Sequence, residues 1–418
     1  MRVHIKFITY ILLGVILTAF VFIVLMPCVA SEWRQIIVKV RKVLGLDVDR
    51  HVPYQSKLKK FSITEMMGST DVFEVVKPNE NTVILEPSVP FLQGQMNKRP
   101  FAIIMVTSMA RYFNQRQSIR STWYKWAHDL NIRIFFMIGH TENANTRIMQ
   151  KLEEEHRTHD DLIVDNYEEG YYKLPGKVLR MLKWFNFTYS NENAPRYFIK
   201  TDQDVFINLP NLVNILRETP YYANLVTLSG QNNSQVLIPD SVNTPFDSTD
   251  VDSYFVGGQK FENAKFETDP DSKWYMESAE RERLGWSSPF FPTYLNGPCY
   301  IISGNVLGAI YETSFDVPIY PFEDVYLIGL VAYDRLNLFI SDVGQQMWLD
   351  KSYYCQVKNR TKLLRMVAFH PLDHPTTMVK VCRRMPACKR QLESSSSSVT
   401  KKLNLAIALI AAIVLNIT

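Results

Sequence analysis

Between Phe101 and Ile199 short apolar runs alternate with stretches of helical periodicity, and nothing else in the chain narrows the fold as much. Phe101 to Val106 is continuously apolar, as befits a strand covered on both faces. From Gln115 to Leu130 the residues Ile119, Trp123, Trp126 and Leu130 fall on one helical face. A second strand follows over Ile132 to Ile138, ending at Gly139, then a polar helix over Asn145 to Arg157 and a third strand over Leu162 to Val164. Lys177 to Phe185 reads as another helix, and Tyr197 to Ile199 returns to strand. Such alternation predicts a doubly wound α/β domain, because parallel neighbours need a crossover between them. In folds of this kind ligands bind beyond the carboxyl ends of the strands.

Two carboxylates leave the last of these strands, in Lys200-Thr201-Asp202-Gln203-Asp204-Val205-Phe206-Ile207-Asn208. On an extended backbone residues i and i+2 point to one side, so Asp202 and Asp204 are expected to share a hard divalent cation. Asp-x-Asp is also a common solvated turn, and its place after a strand is what favours the metal. Arg116 and Arg120 stand one turn apart on the helix after the first strand. Two guanidinium groups and a helix amino end opposite a bound cation would suit a diphosphate, while a solvated helix face is the plainer reading. Glu323 and Asp324 precede an apolar helix running through Val331. Carboxylates are favoured there by the helix dipole, so a cap is the alternative to a chemical role.

Composition sets the setting. With 418 residues, 46% hydrophobic and 21% charged, the chain has a core for one large or two medium domains. Its formal net charge of +4 gives no reason to expect nucleic acid. Residues 7–30 form a nearly uncharged run long enough to cross a bilayer, preferred here as an uncleaved signal anchor, although Cys28-Val29-Ala30 also resembles a cleavage site. At the other end a serine run, a short polar spacer and an apolar tail have the layout of a lipid-anchor signal or a peripheral segment. Cys299, Cys355, Cys382 and Cys388 allow two disulfides, and Cys382 and Cys388 could close a small loop. Sequons at Asn186, Asn232 and Asn359 agree with a secretory route. Residues 231–272 are polar and read as loops suited to substrate contacts.

Several segments, in order, resemble the inverting β1,3-glycosyltransferase family that includes β1,3-galactosyltransferases and β1,3-N-acetylglucosaminyltransferases. Arg116-Gln117-Ser118-Ile119-Arg120-Ser121-Thr122-Trp123 is similar to its Arg-x-x-x-Arg-x-Thr-Trp segment. Lys200 to Asn208 is similar to Lys-Thr-Asp-Asp-Asp-Val-Phe, and Lys273-Trp274-Tyr275 to Lys-Trp-Tyr. Pro292 to Ser303 resembles its Tyr-Pro-x-Tyr-x-x-Gly-x-x-Tyr-x-x-Ser segment, and Glu323 to Tyr326 matches Glu-Asp-Val-Tyr. Tyr171, Leu174 and Lys177 match a weaker region. Departures are Gln203 for the middle Asp, Leu295 for a frequent Cys, Pro298-Cys299 for small residues, and one extra residue between Tyr326 and Gly329.

The resemblance implies a GT-A, Rossmann-like mixed sheet flanked by helices, with an N-terminal transmembrane helix. It also implies manganese-dependent, inverting transfer of a hexose or N-acetylhexosamine, galactose foremost, from a UDP-sugar donor to a glycan acceptor. By resemblance Asp324 is the catalytic base; Asp204, Asp202 and His370 are metal ligands, with His374 a rival to His370; Arg116, Arg120, Asp202, Lys200, Trp274 and Glu323 bind substrate. The expected organisation is a cytoplasmic tail (1–6), a transmembrane anchor (7–30), a stem (31–98), a lumenal glycosyltransferase domain (99–390) and a Ser-rich linker with a hydrophobic tail (391–418). Such a protein would be a single-pass type II Golgi membrane protein, with a lipid-anchored or secreted form as the minor reading. A catalytically silent, glycan- or partner-binding relative is the alternative, motivated by Gln203 and the Pro298-Cys299 loop.

Overall fold

In a computed structural model the described residues are 67–88, 99–140, 146–189, 194–218, 222–223, 253–269, 272–283, 288–372, 374–386 and 388–390. The expected anchor at 7–30, the tail at 391–418 and the sequon at Asn232 lie outside them. Among the described residues no helix is long and apolar enough to cross a membrane. The main compact unit spans Phe61–Asp350 and Leu364–Thr418. Lys351–Leu363 is grouped separately and contains the 3-10 helix Lys351–Lys358.

The centre of this unit is an eight-stranded sheet. In chain order its strands are β1 (Val83–Leu85), β2 (Ala102–Thr107), β3 (Ile132–Gly139), β4 (Leu162–Asp165), β5 (Tyr197–Asp202), β9 (Val256–Phe261), β10 (Tyr294–Ser303) and β11 (Ser341–Asp342), the intervening numbers belonging to β6 (Phe206–Ile207), β7 (Tyr222–Ala223) and β8 (Ser253–Tyr254). Across the sheet the order is β1-β4-β3-β2-β5-β10-β9-β11. The strands β4, β3, β2 and β5 run parallel, and β10 turns back antiparallel on β5. A small second sheet joins β6 to β12 (Met347–Trp348) and β13 (Ala368–Phe369). The expected mixed α/β architecture with a central sheet is therefore present, and the all-apolar β2 is buried along its whole length.

The helices are α1 (Val72–Val76), α2 (Phe113–Ser121), α3 (Thr146–His159), α4 (Leu174–Thr188), α5 (Leu209–Glu218), α6 (Ser278–Arg283), α7 (Leu307–Ser314), α8 (Arg360–Arg365) and α9 (Pro375–Arg384). One helix expected over Gln115 to Leu130 is in fact two pieces. At Thr122 the backbone leaves helical angles, and Trp123–Trp126 continue as a 3-10 turn. The loops expected over 231–272 also need correction, because β9 pairs there with β10 and β11.

Folded structure begins before Arg99, within the segment read as stem. Val83–Leu85 adds the edge strand beside β4, and α1 lies nearby. Cations on α4 explain why. Arg180 donates to Val75 O at 2.7 Å and pairs with Asp165, while Lys183 donates to Lys77 O and Glu80 O, each at 2.7 Å. Buried cations need acceptors, and the carbonyls of residues 75–80 supply them.

After Glu323-Asp324 the chain forms a π-helix, Val325–Arg335. Asp324 caps this helix, and Gly329 sits against Pro292, where a Cβ would come within 2.6 Å of that ring. Of the cysteines, Cys382 and Cys388 are bonded to each other, and Cys299 is buried and free.

Candidate active site

The carboxyl ends of β2 and β5 lie side by side, with Thr107 in register with Asp202. Past Asp202 the strand does not continue. Val205 N–H donates to Asp202 O at 3.2 Å, closing a turn that contains Gln203 and Asp204. The premise that Asp202 and Asp204 share one side of an extended segment is therefore corrected. It is Lys200 and Asp202, both within β5, that share a side, and their Nζ and Oδ1 are 2.8 Å apart.

Lys200 is the hub of the site. Its ammonium is fully buried, 2.8 Å from Asp202 Oδ1, 3.3 Å from Glu323 Oε2 and 2.6 Å from Gly297 O. Burial disfavours its charge, but Asp202 and Glu323 outweigh burial and raise its pKa. Expected to touch substrate, Lys200 has its donors spent inside the protein and joins β5, β10 and the π-helix start instead. Thr107 Oγ1 also donates to Asp202 Oδ1, at 2.7 Å, leaving Oδ2 as the oxygen without these bonds.

Glu323 is buried against Lys200 and accepts a hydrogen bond from the Tyr300 hydroxyl. Burial pushes its carboxyl up to about 7, against the pull of Lys200. Such a group orders the interior rather than meeting substrate. Its neighbour Asp324 caps the π-helix: Oδ1 accepts from Val325 N at 2.9 Å and Oδ2 from Gly297 N at 2.9 Å. Burial raises the Asp324 pKa, opposed by those backbone donors and by Lys200. The cap and the chemical role are compatible, because one bond per oxygen leaves lone pairs on both.

Asp204 turns towards the second sheet. Its Oδ2 is 3.4 Å from His370 Nε2, and Leu372 N–H donates to Asp204 O at 2.8 Å. Burial would raise the Asp204 pKa, but the His370 interaction prevails and lowers it; the same pairing raises His370 against its own burial. His370 Nδ1 faces Leu349 O at 3.1 Å, so Nδ1–H donates there, and Nε2 is the nitrogen that faces Asp204. A backbone carbonyl on the far nitrogen is the usual support of a metal-ligating histidine. His374 instead caps α9, accepting from Thr376 N. Among the described residues no three His, Cys, Asp or Glu side chains converge as a metal cluster. Asp204 and His370 with the open oxygen of Asp202 nonetheless fit a cation that takes its remaining ligands from a diphosphate.

Arg116 and Arg120 do not join this site. Arg116 is fully buried; Nε and Nη2 donate to Glu155 at 2.8 and 2.6 Å, and Nη1 donates to Met109 O at 2.7 Å. Arg120 pairs with Asp161 at 2.6 Å and Glu155 at 2.7 Å. Their forks are saturated by carboxylates about one crossover away, so neither presents donors to a diphosphate. Arg116 still acts on the site from behind. Its Nη1 donates to Ser108 Oγ at 3.1 Å, and Ser108 Oγ donates to Gln203 Oε1 at 3.0 Å. Gln203 thus pins the Asp202–Asp204 turn to the end of β2 with a neutral amide.

Trp274 is 53% exposed beside Tyr171, 47% exposed, with Lys273 Nζ 4.7 Å from the Trp274 ring and 4.9 Å from that of Tyr171. Partial burial and the charge of Asp324 push the Tyr171 phenol up to about 12. Sequence reasoning missed two groups. Lys177 is buried, bonds Glu169 at 2.9 Å and donates to Ser108 O, while Glu169 accepts from Gly139 N at 2.6 Å, so the pair ties together the ends of β2 and β3. Tyr294 has its phenol pushed up by burial and by Asp324. The match of Lys177 to a family motif was the only local signal for the first of these.

Residues 114–338, just over half of the chain, match the family described as Galactosyltransferase. β-1,3-Galactosyltransferase 5 of Pan paniscus is 26% identical over 253 residues, covering 59% of this chain and 69% of that protein. Lactosylceramide 1,3-N-acetyl-β-D-glucosaminyltransferase A of Danio rerio is 27% identical over 299 residues, 68% of each. Among solved structures, the galactosyltransferase LgtC in complex with donor and acceptor sugar analogs aligns with a TM-score of 0.34 at 10% identity, over 68% of this chain and 96% of that one.

Proposed function

Because the chain belongs to the galactosyltransferase family, we propose that it transfers a hexose or N-acetylhexosamine, galactose foremost, from a UDP-sugar to a glycan hydroxyl on protein or lipid, forming a β1,3 linkage with inversion. Glycosyl transfer itself follows from the family. The fold is read as GT-A, with the nucleotide lying over the ends of β2, β3 and β5. The observation that carries the reading is the Lys200 hub, which holds Asp202 directly and holds Asp324 through Gly297.

In this reading Asp324 takes the proton of the acceptor hydroxyl while that oxygen attacks the anomeric carbon and the bond to the diphosphate breaks on the opposite face. Its raised pKa strengthens it as a base, and its two backbone bonds fix its direction. A divalent cation such as manganese, held by Asp204, His370 and Asp202 Oδ2, would neutralise charge on the departing diphosphate. Trp274 and Tyr171 offer exposed ring faces for a sugar. Gln203 leaves the two flanking carboxylates in place, so the reading needs no third acid there. The run at 7–30 is read as the anchor of a single-pass type II Golgi protein with the catalytic body in the lumen.

The test is a screen of UDP-sugars against the full chain, reading released UDP, followed by Asp324→Asn. The variant should lose roughly 10²–10⁴-fold in turnover while retaining UDP binding. Near-normal turnover would remove Asp324 as the base. Absence of any UDP binding in the presence of manganese would favour the silent relative.

A further inference from the structure

The carboxylate cluster does not account for a cleft in the neighbouring loop region. Between the segment around Lys265–Glu267 and α6 lies a cleft of about 460 Å³, lined by Lys265, Phe266, Met276, Arg281 and Phe290 among others. The Arg281 guanidinium sits 4.2 Å from the centre of the Phe266 ring, and its Nε is buried with no hydrogen-bond partner. Among the described residues neither Arg281 nor Lys265 makes an ion pair. The carboxylate in the lining, Glu267, is turned to its own loop, where Oε1 accepts from Thr268 N at 2.8 Å and Asp269 N at 3.0 Å.

A cleft that holds two cations without ion pairs among the described residues, beside aromatic side chains, suits an anion with an apolar body. A cation without an anionic partner among the described residues favours a ligand that brings one, through a charge-assisted hydrogen bond. The guanidinium fork matches a carboxylate or a sulfate oxygen pair, and aromatic walls accept the C–H face of a pyranose. Segments lining the cleft lead on to residues of the candidate site. Tyr275 lines it directly after Trp274, and Met276 Sδ accepts from the hydroxyl of Tyr320, at 3.3 Å, shortly before Asp324 in the chain. On the other side Tyr172 donates to Lys273 O at 3.0 Å.

We propose that this cleft is an acceptor subsite for an anionic pyranose, a sugar carrying a carboxylate or a sulfate ester, with Arg281 setting the preference and Lys265 adding to it. The word acceptor rests on the transferase reading; the binding of the anionic sugar does not. Calorimetry on the full chain would compare methyl glucuronide, a sulfated methyl glucoside and methyl glucoside. At least one charged probe should bind about tenfold more tightly than the neutral one, and which of the two does so separates carboxylate from sulfate. In Arg281→Gln that preference should vanish with UDP binding and melting temperature unchanged, and Arg281→Lys should restore part of it; Lys265→Gln should weaken it less. Equal or absent binding of all three probes by the wild type, or a preference that survives Arg281→Gln, overturns the proposal. A transfer assay separates the two readings. Preferential binding without transfer to any acceptor keeps the cleft and sinks the transferase, whereas transfer with no preference for charged acceptors does the reverse.

Discussion

Replacing Gly297 by alanine probes the catalytic geometry without touching a charge. A Cβ at this position would lie 2.9 Å from Asp324 Oδ2 and 3.3 Å from its Cγ, while the Gly297 N–H donates to that same oxygen. Ordinary contact begins near 3.4 Å, so the carboxylate must retreat by about 0.5 Å. It cannot simply rotate away, because Oδ1 is held by Val325 N at the start of the π-helix. Crowding of this size costs about 1–3 kcal/mol in stability when the neighbours give way. A displacement on the order of 1 Å at a reacting group costs about 100-fold in rate, so half that displacement is expected to cost about 10–100-fold. In transition-state terms that is about 1.4–2.7 kcal/mol. Turnover of the donor identified in the screen, UDP affinity by calorimetry and thermal unfolding should be measured together. Turnover should fall while UDP affinity stays within about twofold of wild type, since the altered contact is with the proposed base, Asp324. Wild-type turnover with an unchanged melting temperature would refute the close approach of Gly297 to Asp324, and a parallel loss of UDP binding would move Gly297 to the nucleotide side.

Arg116→Met should destabilise the fold by about 3–5 kcal/mol, because Glu155 loses one of its two guanidinium partners in a buried setting. Chemical denaturation checks this, and undiminished stability with weakened UDP binding would return Arg116 to the diphosphate. Glu323 should make stability depend on pH in a stated direction. Its folded pKa of about 7 lies above the ordinary 4.5, so the folded state holds the proton more tightly and stability falls as pH rises from about 4.5 to about 7. The slope approaches about 1.4 kcal/mol per pH unit, and Glu323→Gln should flatten it; an identical slope in the variant would contradict the buried-acid assignment.

How far the sequence alone reaches can be judged from particular residues. The strands β2 to β5 and their crossovers were legible because apolar runs and the helical period are local properties. The order of motifs from Arg116 to Tyr326 was legible for the same reason, since each is a short string of side chains. Partners were not legible. Arg116 and Arg120 look like diphosphate ligands in a linear string, yet folding delivers Glu155 and Asp161 to them from α3 and the start of β4. Val83–Leu85 is too short to announce itself as a strand, and it is the open edge of β4 that gives it a partner.

The same division holds within the site. Sequence determined that two carboxylates leave β5 and that another pair opens a later helix, because residue identity and spacing need no partner. Tertiary structure decided what each carboxylate faces: Asp202 meets Lys200, Asp204 meets His370, Glu323 is buried with Tyr300, and Asp324 is clamped by Gly297. The physical reason is that a turn after Asp202 breaks the extended geometry on which i and i+2 would agree, and the contacts that join the two acidic pairs to the rest of the site, Lys200 with Gly297 and Glu323 and Asp204 with His370, cross long stretches of chain and are placed by packing rather than by local period.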